Sequence, residues 1–232
     1  MKHFVIIGGS SGIGRAIVER LLEAGHHVTA TYRNTEPFTQ HDHLTWIPYD
    51  VWSDSLDEQQ LPEVIDGLAY CPGAIDLLPF KRLKQESLLQ DFKLQVTGAV
   101  SVLQHLESRI KKAEQASVVL FSTVAVQSGF NFHTQVAISK GAIEGLTRSL
   151  AAEWAPKVRV NAIAPSITQT DLAKKLLSSE EKIKANADRH PLKKIGQPED
   201  IAQLASFLLQ DSSGWMTGQV IKLDGGISTL KI

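Results

Sequence analysis

Residues 3–15 read His3-Phe-Val-Ile-Ile-Gly-Gly-Ser-Ser-Gly-Ile-Gly-Arg15, a short apolar run followed at once by closely spaced glycines. The apolar run His3–Ile7 predicts a buried strand, and the amphipathic stretch Ile13–Ala24 predicts the first helix. Gly25 follows as the expected C-cap of that helix. A strand, a glycine turn and a helix in this order indicate a βα unit that can receive phosphate groups at the helix N-terminus.

The alternation of short apolar runs and longer helical patterns continues along the whole chain. Further strands are predicted at His27–Tyr32, Leu44–Tyr49, Asp66–Cys71, Ser117–Thr123, Lys157–Ala162 and Gln219–Leu223. Further helices are predicted at Glu86–Lys112, Thr134–Trp154, Asp171–Asn186 and Glu199–Leu209, and the crossover between Asp50 and Tyr70 must be short. The sequence therefore predicts an α/β fold, a Rossmann-type doubly wound parallel sheet that forms one domain over residues 1–232.

The composition excludes several classes of partner. Hydrophobic residues make up 43% and charged residues 21% of the 232 residues, and the formal net charge is −1. Neither a basic patch for nucleic acid nor an apolar run long enough for a membrane is expected. The single cysteine, Cys71, cannot form an internal disulfide, and this fits a cytoplasmic protein. The scattered histidines carry no metal signature.

Several motifs together resemble the short-chain dehydrogenase/reductase (SDR) family over nearly the whole chain. The family's glycine turn reads T-G-x-x-x-G-x-G; Gly8, Gly12 and Gly14 match it, and Ile7 replaces the threonine. Lys140, residues 159–165 (Arg-Val-Asn-Ala-Ile-Ala-Pro) and residues 218–226, which end in Asp-Gly-Gly, follow in the family's order and spacing. The resemblance implies a nicotinamide dinucleotide as cofactor and a carbonyl or alcohol as substrate.

The expected cofactor contacts begin at the glycine turn, because glycines let the pyrophosphate approach the backbone. The expected binding residues are Gly8, Ser10, Ser11, Gly12, Ile13, Gly14, Arg33, Asp50, Val51, Lys140, Pro165, Ile167 and Thr170. No acidic residue ends the second strand at Tyr32, where an NAD-selective site usually has one for the ribose 2′-OH. Arg33 follows instead and could pair with a 2′-phosphate, with help from Arg15. NADP(H) is therefore expected rather than NAD(H).

The resemblance also implies a catalytic site with one central residue missing. The family uses a tyrosine as acid/base, four residues before the lysine on the same helix face. Counting back from Lys140 gives Val136, which cannot transfer a proton. The serine position is Thr123, which keeps a hydroxyl, and the helix asparagine position is Gln95. The catalytic residues expected in this site are therefore Lys140 and Thr123.

Three other residues could supply the missing proton: His133, Tyr70 and Cys71. Each also has a plain structural interpretation, as a loop histidine, a packing aromatic or a small buried side chain. Downstream, Ser166 replaces the glycine of the family's Pro-Gly loop. An apolar pocket is possible near this loop, lined by Phe130, Phe132, Leu172 and Leu176.

Two functions remain open from the sequence. The first is an NADP(H)-binding SDR oxidoreductase with an atypical active site. The second is a catalytically impaired relative that binds cofactor or serves as a partner of an active family subunit. The tail Trp215–Ile232 and the helices Glu86–Lys112 and Thr134–Trp154 resemble the family's subunit contacts, which implies a homodimer or homotetramer. The sequence names neither substrate nor pathway.

Overall fold

The protein is described by a computed structural model, which covers residues 1–35, 37–52 and 56–231. Seven parallel strands form one sheet in the order β3-β2-β1-β4-β5-β6-β7. The strands are β1 His3–Ile7, β2 His27–Tyr32, β3 Leu44–Pro48, β4 Gly67–Tyr70, β5 Ala116–Phe121, β6 Val158–Pro165 and β7 Val220–Leu223. The helices are α1 Gly12–Glu23, α2 Gln85–Phe92, α3 Gly98–Lys111, α4 Ala125–Ser128, α5 Thr134–Trp154, α6 Glu180–Asp188 and α7 Pro198–Leu209.

Helices cover both faces of the sheet, because its central strands are apolar on both sides. On one face, Ile17 of α1 and Leu208 of α7 pack against Phe4 and Ile6 of β1. On the other face, the core contains side chains from α3 and α5 together with alternate residues of β1, β4 and β5. All six residues of β5 are buried. The predicted doubly wound α/β fold is confirmed.

Several predicted elements differ from the structure. The strand predicted at Lys157–Ala162 runs on to Pro165, because it continues to pair with β7 as far as Leu223. The single helix predicted at Asp171–Asn186 is wrong. The structure has a 3₁₀ turn at Asp171–Ala173 and then α6, whose N-cap Ser179 accepts a hydrogen bond from Lys182 N. Because the Ser179 side chain caps a free amide of α6, a separate helix begins there and the earlier turn does not continue into it.

The long helix predicted at Glu86–Lys112 is interrupted rather than regular. The π-helical turn Lys93–Thr97 separates α2 from α3. Such turns widen a helix by one residue and often lie at functional sites. Between β3 and β4, the described residues contain only the short 3₁₀ turn Glu58–Gln60, as the short crossover predicts.

The site is positioned by the carboxyl ends of the strands, which all lie at one edge of the sheet. The direction of strand order reverses between β1 and β4, which pair side by side. Loops leave this edge on both sides of the reversal, and a crevice opens between them. The glycine turn follows β1, and Cys71 follows β4 at the same place.

Candidate active site

The glycine turn has the shape of a phosphate cradle. Gly8 has φ +77° and Gly12 has φ +50°, which are left-handed conformations that favour glycine. Gly8 N donates a hydrogen bond to Thr31 Oγ1 at 2.8 Å, which fixes the turn against β2. A Cβ on Gly14 would lie 2.1 Å from Gly8 O, so the start of α1 can approach β1 only without a side chain. The N-terminal amides of α1 are thereby left open to a ligand.

A cleft of about 490 Å³ runs from this turn across the ends of β1, β2 and β3. The expected cofactor residues in its wall are Gly8, Ser10, Ser11, Gly12, Ile13, Gly14, Arg33, Asp50, Val51 and Thr170. Arg15 is not in this wall; its guanidinium pairs with Glu19 at 2.9 Å and lies over the Phe38 ring. The backbone geometry of the cradle fits a dinucleotide, because the cradle adjoins the crevice at the strand carboxyl edge.

Among the described residues of the cleft wall, the one cation is Arg33. Arg33 Nη1 lies 3.8 Å from Asp50 Oδ1, and about half of the Arg33 side chain is exposed. The pair is loose enough for the guanidinium to turn toward a phosphate, since exposed ion pairs at this distance contribute little stability.

A second cavity of about 290 Å³ adjoins the cleft through a shared wall. The residues common to both are Ile13, Cys71, Gly73, Thr170 and Leu172. Its wall contains the expected Lys140, Thr123, Pro165 and Ile167. Val136 also lines it and is buried, one helical turn before Lys140 on α5. The structure therefore brings together the catalytic residues expected from the sequence.

The apolar pocket residues divide between two places. Phe130, Leu172 and Leu176 line the second cavity, whereas Phe132 lies in an adjoining surface groove with 55% of its side chain exposed. No aspartate or glutamate lies among the described residues of the cavity wall, although Lys140, Arg189, His133 and His190 do. The cavity is therefore apolar with a basic character.

Lys140 is held in an unusual electrostatic setting. Burial lowers the pKa of its ammonium to about 8, while Asp91 and Cys71 act in the opposite direction. Asp91 of α2 is itself buried and accepts hydrogen bonds from Ser139 Oγ and from Gln95 Nε2, the latter at 2.8 Å. Asp91 is not among the site residues that the sequence predicts; its one signal there is its position four residues before Gln95.

Gln95 lies within the π-helical turn, and its side-chain amide donates a hydrogen bond to Asp91. Its Oε1 is buried and has no hydrogen-bond partner among the described residues. A Cβ built on Gly73 would lie 3.5 Å from this oxygen and 3.9 Å from Lys140 Nζ. The amide oxygen and the ammonium thus approach one small space beside Gly73, where a buried acceptor needs a partner such as a water or a ligand hydroxyl.

The structure limits two of the three alternative proton donors. The Tyr70 hydroxyl donates to Leu94 O at 2.6 Å, and burial raises the pKa of this phenol. Burial also raises the pKa of the Cys71 thiol to about 12, although Lys140 acts to lower it. His133 lines the cavity, and its Nδ1 lies 2.8 Å from Asn131 O. Tyr70 is therefore a structural residue that secures the π-helical turn.

A hydrogen-bonded pair in the cavity wall was not anticipated from the sequence. Ser166 Oγ lies 2.9 Å from His190 Nε2, and His190 Nδ1 lies 2.7 Å from Asn186 O. Both residues line the second cavity. They are 24 residues apart in the chain, and no local spacing connects them.

The fold and the two adjoining cavities place the protein in the class of doubly wound α/β proteins that bind ligands at the strand carboxyl edge. A family model described as enoyl-(acyl carrier protein) reductase matches residues 8–228. A probable 2,4-dienoyl-CoA reductase of Bacillus subtilis (strain 168) is 31% identical over 244 residues, covering 97% of this chain and 96% of its own length. The L-xylulose reductase of Mus musculus is 30% identical over 235 residues, with 97% and 96% covered.

The similarity extends to solved structures. A short chain dehydrogenase family protein from Francisella tularensis subsp. tularensis SCHU S4 superposes with a TM-score of 0.89 at 29% identity, covering 99% of this chain and 100% of that one. The chain therefore belongs to the short-chain dehydrogenase/reductase family, whose members are oxidoreductases that use a nicotinamide dinucleotide.

Two further findings bear on other classes of ligand. No helix in the described ranges combines the length and apolar character needed to cross a membrane. The part of the chain that the structure describes contains no cluster of three or more histidine, cysteine or carboxylate side chains placed to hold a metal ion.

Proposed function

We propose that the protein is an NADP(H)-dependent oxidoreductase that acts on a carbonyl or alcohol group. The observation that carries this proposal is that the two cavities adjoin. The cleft at the glycine turn and the cavity that holds Lys140 and Thr123 share Gly73 and four other lining residues. A cofactor bound along the cleft would present its nicotinamide end to a substrate in the cavity. The relatives named as reductases support the same assignment.

The cofactor would be held by the chain's own residues in three places. The amides of Gly12 to Gly14 and the hydroxyls of Ser10 and Ser11 would bind the pyrophosphate. Asp50 and Val51 would contact the adenine, and Arg33 the 2′-phosphate. Lys140, Pro165, Ile167 and Thr170 would hold the nicotinamide half. When bound, the nicotinamide supplies or accepts the hydride at the substrate carbon.

Val136 occupies the position that the family's tyrosine would take. The Thr123 hydroxyl can donate a hydrogen bond to the substrate oxygen, and the Lys140 ammonium can hold the ribose. Neither replaces the full role of a phenol at Val136, so weak turnover is expected. The aliphatic side chain leaves room for a larger residue only toward the cavity, because Val136 is otherwise packed in the core.

Binding and turnover of the purified protein test the proposal. NADPH should quench or shift the protein fluorescence on binding, and small aldehydes and diketones should be reduced slowly. Val136→Tyr should raise kcat by up to about 10²-fold, because it restores a proton donor one turn from Lys140. Lys140→Ala should abolish turnover, whereas Lys112→Ala, which removes an exposed lysine from the end of α3, serves as the matched control. Wild-type turnover that Lys140→Ala does not reduce would contradict the proposed site.

The second candidate function is a non-catalytic subunit, which the valine at position 136 favours. Such a protein would bind NADPH and show no turnover of its own, with activity appearing only alongside another family member. We also propose self-association as a homodimer or homotetramer. The fully exposed Trp215 and the exposed Leu230 of the tail are apolar side chains that a subunit interface would cover. Sedimentation of the full chain tests this point.

A further inference from the structure

The Ser166–His190 pair has the geometry of a proton-transfer unit. A carbonyl oxygen can only accept, so the 2.7 Å contact with Asn186 O places the hydrogen of the neutral ring on Nδ1. Nε2 is then the acceptor of the Ser166 hydroxyl at 2.9 Å. The imidazole is oriented by a third group on its far side, as in sites where a base activates a hydroxyl.

Ser166 lies beside the expected catalytic hydroxyl. Beyond the last paired residues of β5 and β6, Ser122 N donates to Ile163 O at 2.7 Å and Val124 N donates to Pro165 O at 3.2 Å. The two chain segments therefore still run side by side where Thr123 and Ser166 leave the sheet. Neighbouring strands lie about 4.8 Å apart, so the backbones of Thr123 and Ser166 leave the sheet close together, and both residues line the same cavity.

His190 is protected from solvent by its surroundings. Its exposed fraction is 3%, and a Cβ on Gly225 would lie 3.4 Å from the ring. Besides His190, the titratable and charged groups among the described residues of the cavity wall are Lys140, His133, Arg189 and Cys71, and Asp224 precedes the glycine that packs on the ring. No carboxylate of the described cavity wall competes for the imidazole, so Ser166 is its one side-chain hydrogen-bond partner among the described residues.

We propose that Ser166 and His190 supply the proton that a tyrosine would otherwise supply, an inference that rests on the proposed function. In reduction, the hydride joins the carbonyl carbon and the carbon–oxygen π bond breaks toward oxygen. The Ser166 O–H bond then breaks, and its proton forms the new O–H bond of the alcohol. The imidazolium form of His190 gives its Nε2 proton to Ser166 Oγ and is left neutral, and water in the cavity returns a proton to it through Ser166. Alcohol oxidation runs the same transfers in reverse.

His133 is the competing imidazole in this cavity. It lies at the start of α5, seven residues or about 10 Å along the helix axis from Lys140. Its Nδ1 contacts Asn131 O, and no hydroxyl side chain bridges it to the substrate space among the described contacts. His190 is favoured over His133 because Ser166 connects its ring to the cavity that Thr123 also lines.

The test compares four variants of the full-length protein at saturating NADPH: His190→Gln and Ser166→Gly, each in the wild-type and the Val136→Tyr background. Ser166→Gly removes the hydroxyl by restoring the family's usual residue. In the wild-type background, each substitution should lower kcat by about 10²–10³-fold and leave the Kd of NADPH unchanged. In the Val136→Tyr background the same substitutions should lower kcat less than about fivefold, because the phenol then supplies the proton. His41→Gln, in an exposed loop, is the matched control.

Two further readouts separate proton transfer from a structural role. The shape of the pH profile of kcat should change in His190→Gln, because the side chain that passes the proton to Ser166 is lost. The ¹⁵N NMR signal of the His190 ring should report hydrogen on Nδ1, and the Nε2 signal should shift in Ser166→Gly without any substrate present. Unchanged kcat in both single variants overturns the inference while the proposed function stands. Equal losses of kcat in both backgrounds also overturn it. So does a further variant, His133→Gln, if it lowers kcat and His190→Gln does not. A wild type that binds NADPH but never turns over overturns the proposed function and the inference together.

Discussion

At the scale of single residues, the site depends on Lys140 and on what surrounds it. The ammonium is flanked by a buried carboxylate, Asp91, and by the unpartnered amide oxygen of Gln95. The sequence located Lys140 from its motif, and Thr123 from its spacing to that lysine. The contact of Asp91 with Ser139 and the pairing of Ser166 with His190 could not be found in this way, because they join segments that are distant in sequence.

The proposed preference for NADP(H) rests on a single residue, Arg33. A charge-assisted hydrogen bond to the 2′-phosphate should make NADPH bind about 10- to 100-fold more tightly than NADH. Arg33→Ala should remove that difference, as measured by fluorescence titration with both cofactors. Arg20→Ala, at the exposed far end of α1, is the charge-matched control. Equal affinity of the wild type for the two cofactors would refute the assignment.

At the scale of elements, the bounds of the strands were predicted from the sequence more accurately than those of the helices. Apolar runs of five or six residues with β-branched side chains leave few alternatives, so His27–Tyr32 was predicted at its observed bounds. Helix interruptions were missed because they depend on tertiary contacts. The π-helical turn Lys93–Thr97 is secured by Tyr70, a residue of β4, through its bond to Leu94 O.

The end of α7 is fastened to β6 by Arg159. Its guanidinium donates to Leu208 O at 3.0 Å, Gln210 O at 2.9 Å and Ser213 Oγ at 2.6 Å. Arg159→Met should lower the free energy of unfolding by about 2–4 kcal/mol, because carbonyls at the helix end lose charged donors. Urea denaturation measures this change. The exposed Arg82 makes none of these contacts, and Arg82→Met should alter the same quantity by less than about 0.5 kcal/mol.

At the scale of the whole molecule, burial of a cation gives the stability a predictable pH dependence. The pKa of Lys140 is about 8 in the folded protein, against 10.5 for an ordinary lysine. Between these values the unfolded chain binds more protons than the folded one, so the free energy of unfolding rises with pH. The contribution is unfavourable below pH 8 and vanishes above about pH 10.5.

Lys140→Met should remove this contribution. Relative to the variant, the wild type should gain about 1–3 kcal/mol of stability as pH rises from 8 to 10.5, less than full burial would give because the cavity admits solvent. Denaturation of both proteins without cofactor at several pH values measures the difference. Lys112→Met, on an exposed lysine, should follow the wild type across the same range. A constant difference between wild type and Lys140→Met would show that the ammonium is well hydrated.

The wall between the two cavities also carries the chain's single sulfhydryl, Cys71, which borders both compartments. A maleimide or a spin label would therefore attach at one known point, with no competing cysteine to remove by mutation. Because so little of the thiol is ionised near neutral pH, labelling should be slow. Its labelling rate would then report occupancy, because it should fall when either compartment is filled, and adding cofactor and substrate one at a time would report the binding of each.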